Sequence, residues 1–202
     1  MDRSELEAIS RRPLRYWNED GIPDLLGGVI FVVIAAMNWG TYVGNPFVVA
    51  ALIPVPIVTS FFGQKAVRKL KERLVFPRTG AMVPRQPVLR HRWVWTAVVF
   101  LAIAALVILM ARFADAFFRW IPLVAGTAYT IGLVEGWRRM RLRRYLLLAL
   151  VTATTTLTLA SIGPRDQLGF ILLMAVTGVA LLTSGTYALA TFLRTAPLAP
   201  QE

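Results

Sequence analysis

Arg138-Arg139-Met140-Arg141-Leu142-Arg143-Arg144 opens directly onto eighteen residues without a charge, Tyr145 to Ile162. At about 1.5 Å of rise per residue, an α-helix over that run nearly matches a hydrocarbon layer roughly 30 Å thick. Five arginines at its edge mark the side that faces the cytoplasm, because basic connections resist translocation.

The same alternation extends in both directions. Apolar runs occupy about 22–39, 47–63, 93–111, 121–137, 145–162 and 169–190. Nineteen of the twenty-two Lys and Arg residues fall on one alternating set of connections. The fold expected is therefore all-α: a polytopic membrane helix bundle of six transmembrane helices with both termini cytoplasmic. Residues 1–21 form a cytoplasmic N-terminal segment with a short interfacial helix. Residues 22–190 form the transmembrane domain, interrupted by a basic cytoplasmic loop at 64–92, and 191–202 form a cytoplasmic tail. The first run lacks a small-residue cleavage site and reads as a span.

Composition narrows the chemistry. The chain has 202 residues, is 56% hydrophobic and carries a formal charge of +11. In a soluble protein that charge would suggest nucleic acid. Here it is what the bordering of spans requires, so no nucleic acid is expected. No cysteine is present, which excludes disulfides and thiolate ligands. The single histidine, His91, stands between Arg90 and Arg92 without companion ligands, so neither metal nor cofactor is expected. Arginine far outnumbers lysine, which suits a GC-rich bacterial genome and a multi-pass protein of the bacterial cytoplasmic (inner) membrane.

Few polar residues lie at depth. Glu135 is the one acidic residue well inside a run, and a carboxylate there is costly enough to suggest a role in handling protons or cations. Arg138 and Arg139 stand three and four residues on, where they reach it along one helical face. Pro54 and Pro56 should kink the second run near its middle and free the carbonyls of Ala50 and Leu52 for a ligand. Thr152, Thr155 and Thr156 in the fifth run either line a polar pathway or bond back to carbonyls one turn earlier. Asp24 suits the positive end of the first helix.

Small residues recur every four positions at Ala128, Gly132 and Gly136, and again at Ala180, Ser184 and Ala188. Such stripes let helix backbones approach within one bundle or between subunits. In the basic loop, Lys65, Arg68, Lys69, Lys71 and Arg73 should meet an anionic leaflet, each adding on the order of 1 kcal/mol of attraction. Arg78 and Arg85 each follow a proline. The same set could dock a soluble or membrane partner.

Arg73-Leu74-Val75-Phe76-Pro77-Arg78-Thr79-Gly80, together with Trp17-Asn18-Glu19-Asp20-Gly21, resembles an uncharacterised group of small bacterial polytopic membrane proteins. These carry a Tyr-Pro-Arg-Thr-Gly-Tyr-like cytoplasmic loop. The resemblance covers roughly the first ninety residues, and Phe76 and Ala81 stand where the group has tyrosines. It implies architecture and no activity.

The function expected is that of a non-catalytic, membrane-embedded accessory, assembly or regulatory component, joined to a membrane partner or a second copy. A small transporter or channel acting as a homo-oligomer is the alternative. A lipid-acting enzyme is disfavoured, because no H-E-x-x-H, paired aspartates at depth or Ser–His arrangement is present.

Overall fold

A computed structural model describes residues 16–52, 54–79, 114–164 and 166–195. The described residues form helices without a strand. In chain order these are α1 (Ile22–Tyr42), α2 (Pro46–Leu52), α3 (Pro54–Leu74), α4 (Phe76–Thr79), α5 (Ala114–Met140), α6 (Arg143–Ile162) and α7 (Gln167–Thr195). Three of them, α1, α6 and α7, are long and apolar enough to cross a membrane. Helices of that length and composition point to a membrane protein. The third apolar run, 93–111, and Arg85 lie outside the described residues.

Local sequence explains the helix ends. Asn45 accepts hydrogen bonds from the Phe47 and Val48 amides at 3.1 and 3.4 Å, and so caps α2. Pro54 is the first residue of α3, where its missing N–H is no loss. From there α3 runs unbroken out of the apolar stretch and into the basic one, ending at Leu74. Pro122 lies within the first turns of α5.

Helix α1 lies antiparallel along α7 through a seam of small residues spaced by seven. Gly21, Gly28 and Ala35 are buried on α1, and Gly178 and Gly185 on α7. A β-carbon at Gly28 would stand 2.7 Å from the Leu182 side chain, and one at Gly178 would stand 2.8 Å from Val32. The seven-residue period is what two helices need to keep one face in contact at a shallow crossing. At the far end of this pair, the Gln167 side chain donates to the Asn38 carbonyl at 3.1 Å.

On the other side, α5 packs on α6. A β-carbon at Gly126 would overlap Thr156. Leu133, Tyr145, Leu148, Ala149 and Leu181 form a core where α5, α6 and α7 meet. The Phe31 ring of α1 lies 4.8 Å from that of Tyr129 on α5. A second core of Ile22, Val67 and Val75, flanked by Trp17, Leu26 and Phe192, fixes α3 against α1 and α7.

Candidate functional site

The basic end of the bundle holds four buried or nearly buried charges around the start of α1. Asp20 and Asp24 are one helical turn apart, separated by Gly21 in a left-handed conformation (φ 74°). The carbonyl of Gly21 packs against Gly185, so a side chain at either glycine would meet backbone. This close approach draws the entry to α1 beneath α7 and buries both aspartates, which are 1% and 5% exposed.

A cation from a different helix meets each aspartate. Lys71 of α3, itself 1% exposed, pairs with Asp20 Oδ2. Its ammonium also donates to the Trp17 carbonyl at 2.7 Å and lies 4.7 Å above the Trp17 ring. The other Asp20 oxygen accepts from the Ile22 amide, the first of α1, at 3.0 Å. Burial pulls the Lys71 ammonium below its usual pKa range, and the bond and charge of Asp20 pull it back.

Arg144 of α6 stands 3.1 Å from Asp24 Oδ2. That contact is a charge pair and not an aligned hydrogen bond, since Asp24 Oδ2 has no hydrogen-bond partner. The donors of Arg144 go instead to main-chain carbonyls: one to Glu19 at 3.1 Å and another to Asn18. The Tyr145 hydroxyl donates to Asp24 Oδ1 at 2.9 Å.

Chemically, the arrangement is a clamp. Two carboxylates balance two cations, and the cation donors grip the backbone of residues 17–19. Removing one partner from such a buried pair typically costs about 3–5 kcal/mol, because the other charge stays buried without compensation. The cluster ties the amino-terminal segment, α1, α3 and α6 into one body.

The residues singled out in the sequence are dispersed. Glu135 is half exposed and accepts from Arg139 at 2.8 Å, with Arg138 at 3.9 Å, all on α5. Thr152 and Thr156 are buried on α6 and donate to the Leu148 and Thr152 carbonyls, and Thr156 faces Gly126. Thr155 donates to Val151. Gly126 and Glu135 are nine positions apart, about 13 Å along α5, so Glu135 and Thr156 occupy different levels. Pro54 and Pro56 both fall in the first turn of α3.

Ala128 and Gly132 face outward, and a β-carbon at Gly132 would meet nothing within 4 Å among the described residues. Gly136 faces Met140 and Tyr145. Ala180 packs on the α5–α6–α7 core, Ser184 is partly buried, and Ala188 touches Gly21. Lys65, Arg68, Lys69 and Arg73 are exposed on α3, with Arg68 paired to Glu72 at 2.9 Å. Lys71, grouped with them by sequence, points the other way into the clamp. Arg78 lies in α4.

Sequence reasoning missed the clamp as a unit. Asp20 reads as part of a turn, and Asp24 as a favourable charge at a helix start. Lys71 stands 51 positions from Asp20, and Tyr145 stands 121 from Asp24. The available signal was two acidic residues one turn apart around a glycine, in a chain where basic residues outnumber acidic ones two to one. No protein-family model, curated protein or solved structure matches the chain.

Proposed function

We propose that the chain crosses the bacterial cytoplasmic membrane six times, with both termini inside. In this reading it is a non-catalytic accessory, assembly or regulatory component of a membrane complex. One observation supports this above others: the basic segment of α3 is anchored along one face. Gly63, Val67 and Lys71 are its buried face, spaced by four residues, while Lys65, Arg68, Lys69 and Arg73 stand outward. A segment used only to set topology has no need of a buried anchor. An arm fixed in direction suits a partner with an acidic surface, and its charge suits the anionic leaflet beside it.

Two experiments test this. Reporter fusions at Arg78 and at Asp166 should report opposite sides of the membrane. Proximity labelling from the α3 arm, followed by mild-detergent purification, should recover a specific membrane partner or a second copy. Lys69→Glu with Arg73→Glu should release it. Isolated monomer without labelled neighbours would contradict the reading.

A homo-oligomeric transporter or channel has one specific observation in its favour: α2 ends at Leu52 and α3 begins at Pro54, so the second apolar run is divided between two helices. Broken helices line substrate sites in many transporters. Reconstituted vesicles carrying wild type or Glu135→Gln distinguish this reading, since it requires flux above that of empty liposomes.

A further inference from the structure

The fold divides the five arginines of the α5–α6 turn. Arg144 is committed to Asp24 and to two carbonyls. Arg138, Arg139 and Arg141 instead line a cleft of about 250 Å³ together with Glu135. That is just under the roughly 300–1,000 Å³ of sites for drug-sized molecules, and suits a small charged head group.

Within the cleft, Glu135 accepts from Arg139 through Nε. The two terminal amino groups of Arg139 therefore remain for another acceptor. Arg138 reaches Glu135 only at 3.9 Å. Arg141 lies 5.7 Å above the Trp137 ring, and its amide closes α5 on the Trp137 carbonyl at 2.7 Å. Its backbone is left-handed (φ 56°), a conformation in which glycine is usual. Three guanidinium groups and one carboxylate leave the cleft with an excess of two positive charges. The helix that follows, α6, has Leu142 at its N-cap position without a side-chain cap.

Apolar surface borders this charge. Ile131, one turn before Glu135, is 64% exposed, and Leu147 and Leu150 on α6 are 64% and 61% exposed. Helix α6 is itself a candidate membrane span beginning at the turn, and Trp137 is an aromatic of the kind found at head-group level. Arginine forks match phosphate oxygens in pairs, which a lysine cannot reproduce.

We propose that the α5–α6 turn is a binding site for the phosphate of an anionic membrane lipid. Arg138, Arg139 and Arg141 hold the phosphate, and the acyl chains descend over the exposed apolar faces. Glu135 orients Arg139 and tempers the charge of the site.

Native mass spectrometry of the full chain in detergent tests this, with phosphatidylglycerol, phosphatidylcholine or inorganic phosphate added. One phosphatidylglycerol should be retained in preference to phosphatidylcholine, and inorganic phosphate at equal concentration should not displace it. Arg138→Ala with Arg141→Ala should weaken retention about tenfold or more, as expected for lost charge-assisted hydrogen bonds. Arg194→Ala removes a cation from the exposed last turn of α7 and should change retention less than about twofold, because Arg194 does not line the cleft.

Glu135→Gln keeps an acceptor for Arg139 but removes the negative charge, so retention should tighten several-fold. A variant that binds more tightly cannot be a folding failure. Equal retention of the two lipids, a loss from Arg194→Ala equal to that from the arginine pair, or no tightening in Glu135→Gln would overturn the proposal. Displacement by inorganic phosphate would assign the cleft to a soluble anion and overturn it equally.

Discussion

The α1–α7 seam and the clamp at the basic end join α1 to different neighbours by opposite physics. Along the seam, glycines seven residues apart let backbones close in, and the attraction is summed dispersion among side chains such as Leu182 and Val32. At the clamp, Asp20, Asp24, Lys71 and Arg144 give up water, and each charge needs its partner. Seam contacts are many and individually small, so a change at one position degrades the packing locally. Clamp contacts are few and interdependent, so loss of one leaves another group unsatisfied. The seam therefore sets how close the helices lie, and the clamp sets where the amino-terminal segment and the α3 arm are held.

Substitutions can break this contrast, beginning with the largest expected effect. Lys71→Ala leaves Asp20 buried without a cation and should cost about 3–5 kcal/mol, measured as unfolding in mixed detergent and SDS. Tyr145→Phe removes one hydrogen bond to a buried carboxylate and should cost about 1.5–3 kcal/mol in the same assay. Gly28→Ala forces a methyl against Leu182 and should cost about 1–3 kcal/mol, the usual range for overpacking. Arg68→Ala breaks an exposed pair with Glu72 on α3 and should cost no more than about 0.5 kcal/mol. An Arg68→Ala effect as large as that of Lys71→Ala would erase the distinction between the two faces of α3.

The seam and the clamp also differ in how far they could be read in advance. Helices α1, α6 and α7 follow from runs of uncharged residues, because lipid imposes a one-dimensional rule on composition. The Glu135–Arg139 bond follows from spacing along a single helix. The seam was less open to inspection. Four-residue spacing draws the eye to Ala180, Ser184 and Ala188, whereas the glycines that meet α1 are Gly178 and Gly185, seven apart. Which small residues meet depends on the crossing of two helices, and that is not encoded within either one.

The clamp was hidden further. Nothing near Lys71 separates it from Lys69 or Arg73, yet the helical phase that buries Gly63 and Val67 also buries Lys71. The sequence places the whole basic run against an anionic leaflet, whereas one member of it is the most deeply buried cation among the described residues.

A double-mutant cycle on Asp20→Asn and Lys71→Met, followed by unfolding in mixed detergent and SDS, tests the clamp most directly. If the two side chains hold the basic end together as a pair, each single variant should be strongly destabilised. The double variant should recover much of the loss, with a coupling of about 1–3 kcal/mol. Effects that add to within about 0.5 kcal/mol would contradict a direct partnership between Asp20 and Lys71, and with it the claim that the α3 arm is anchored through charge.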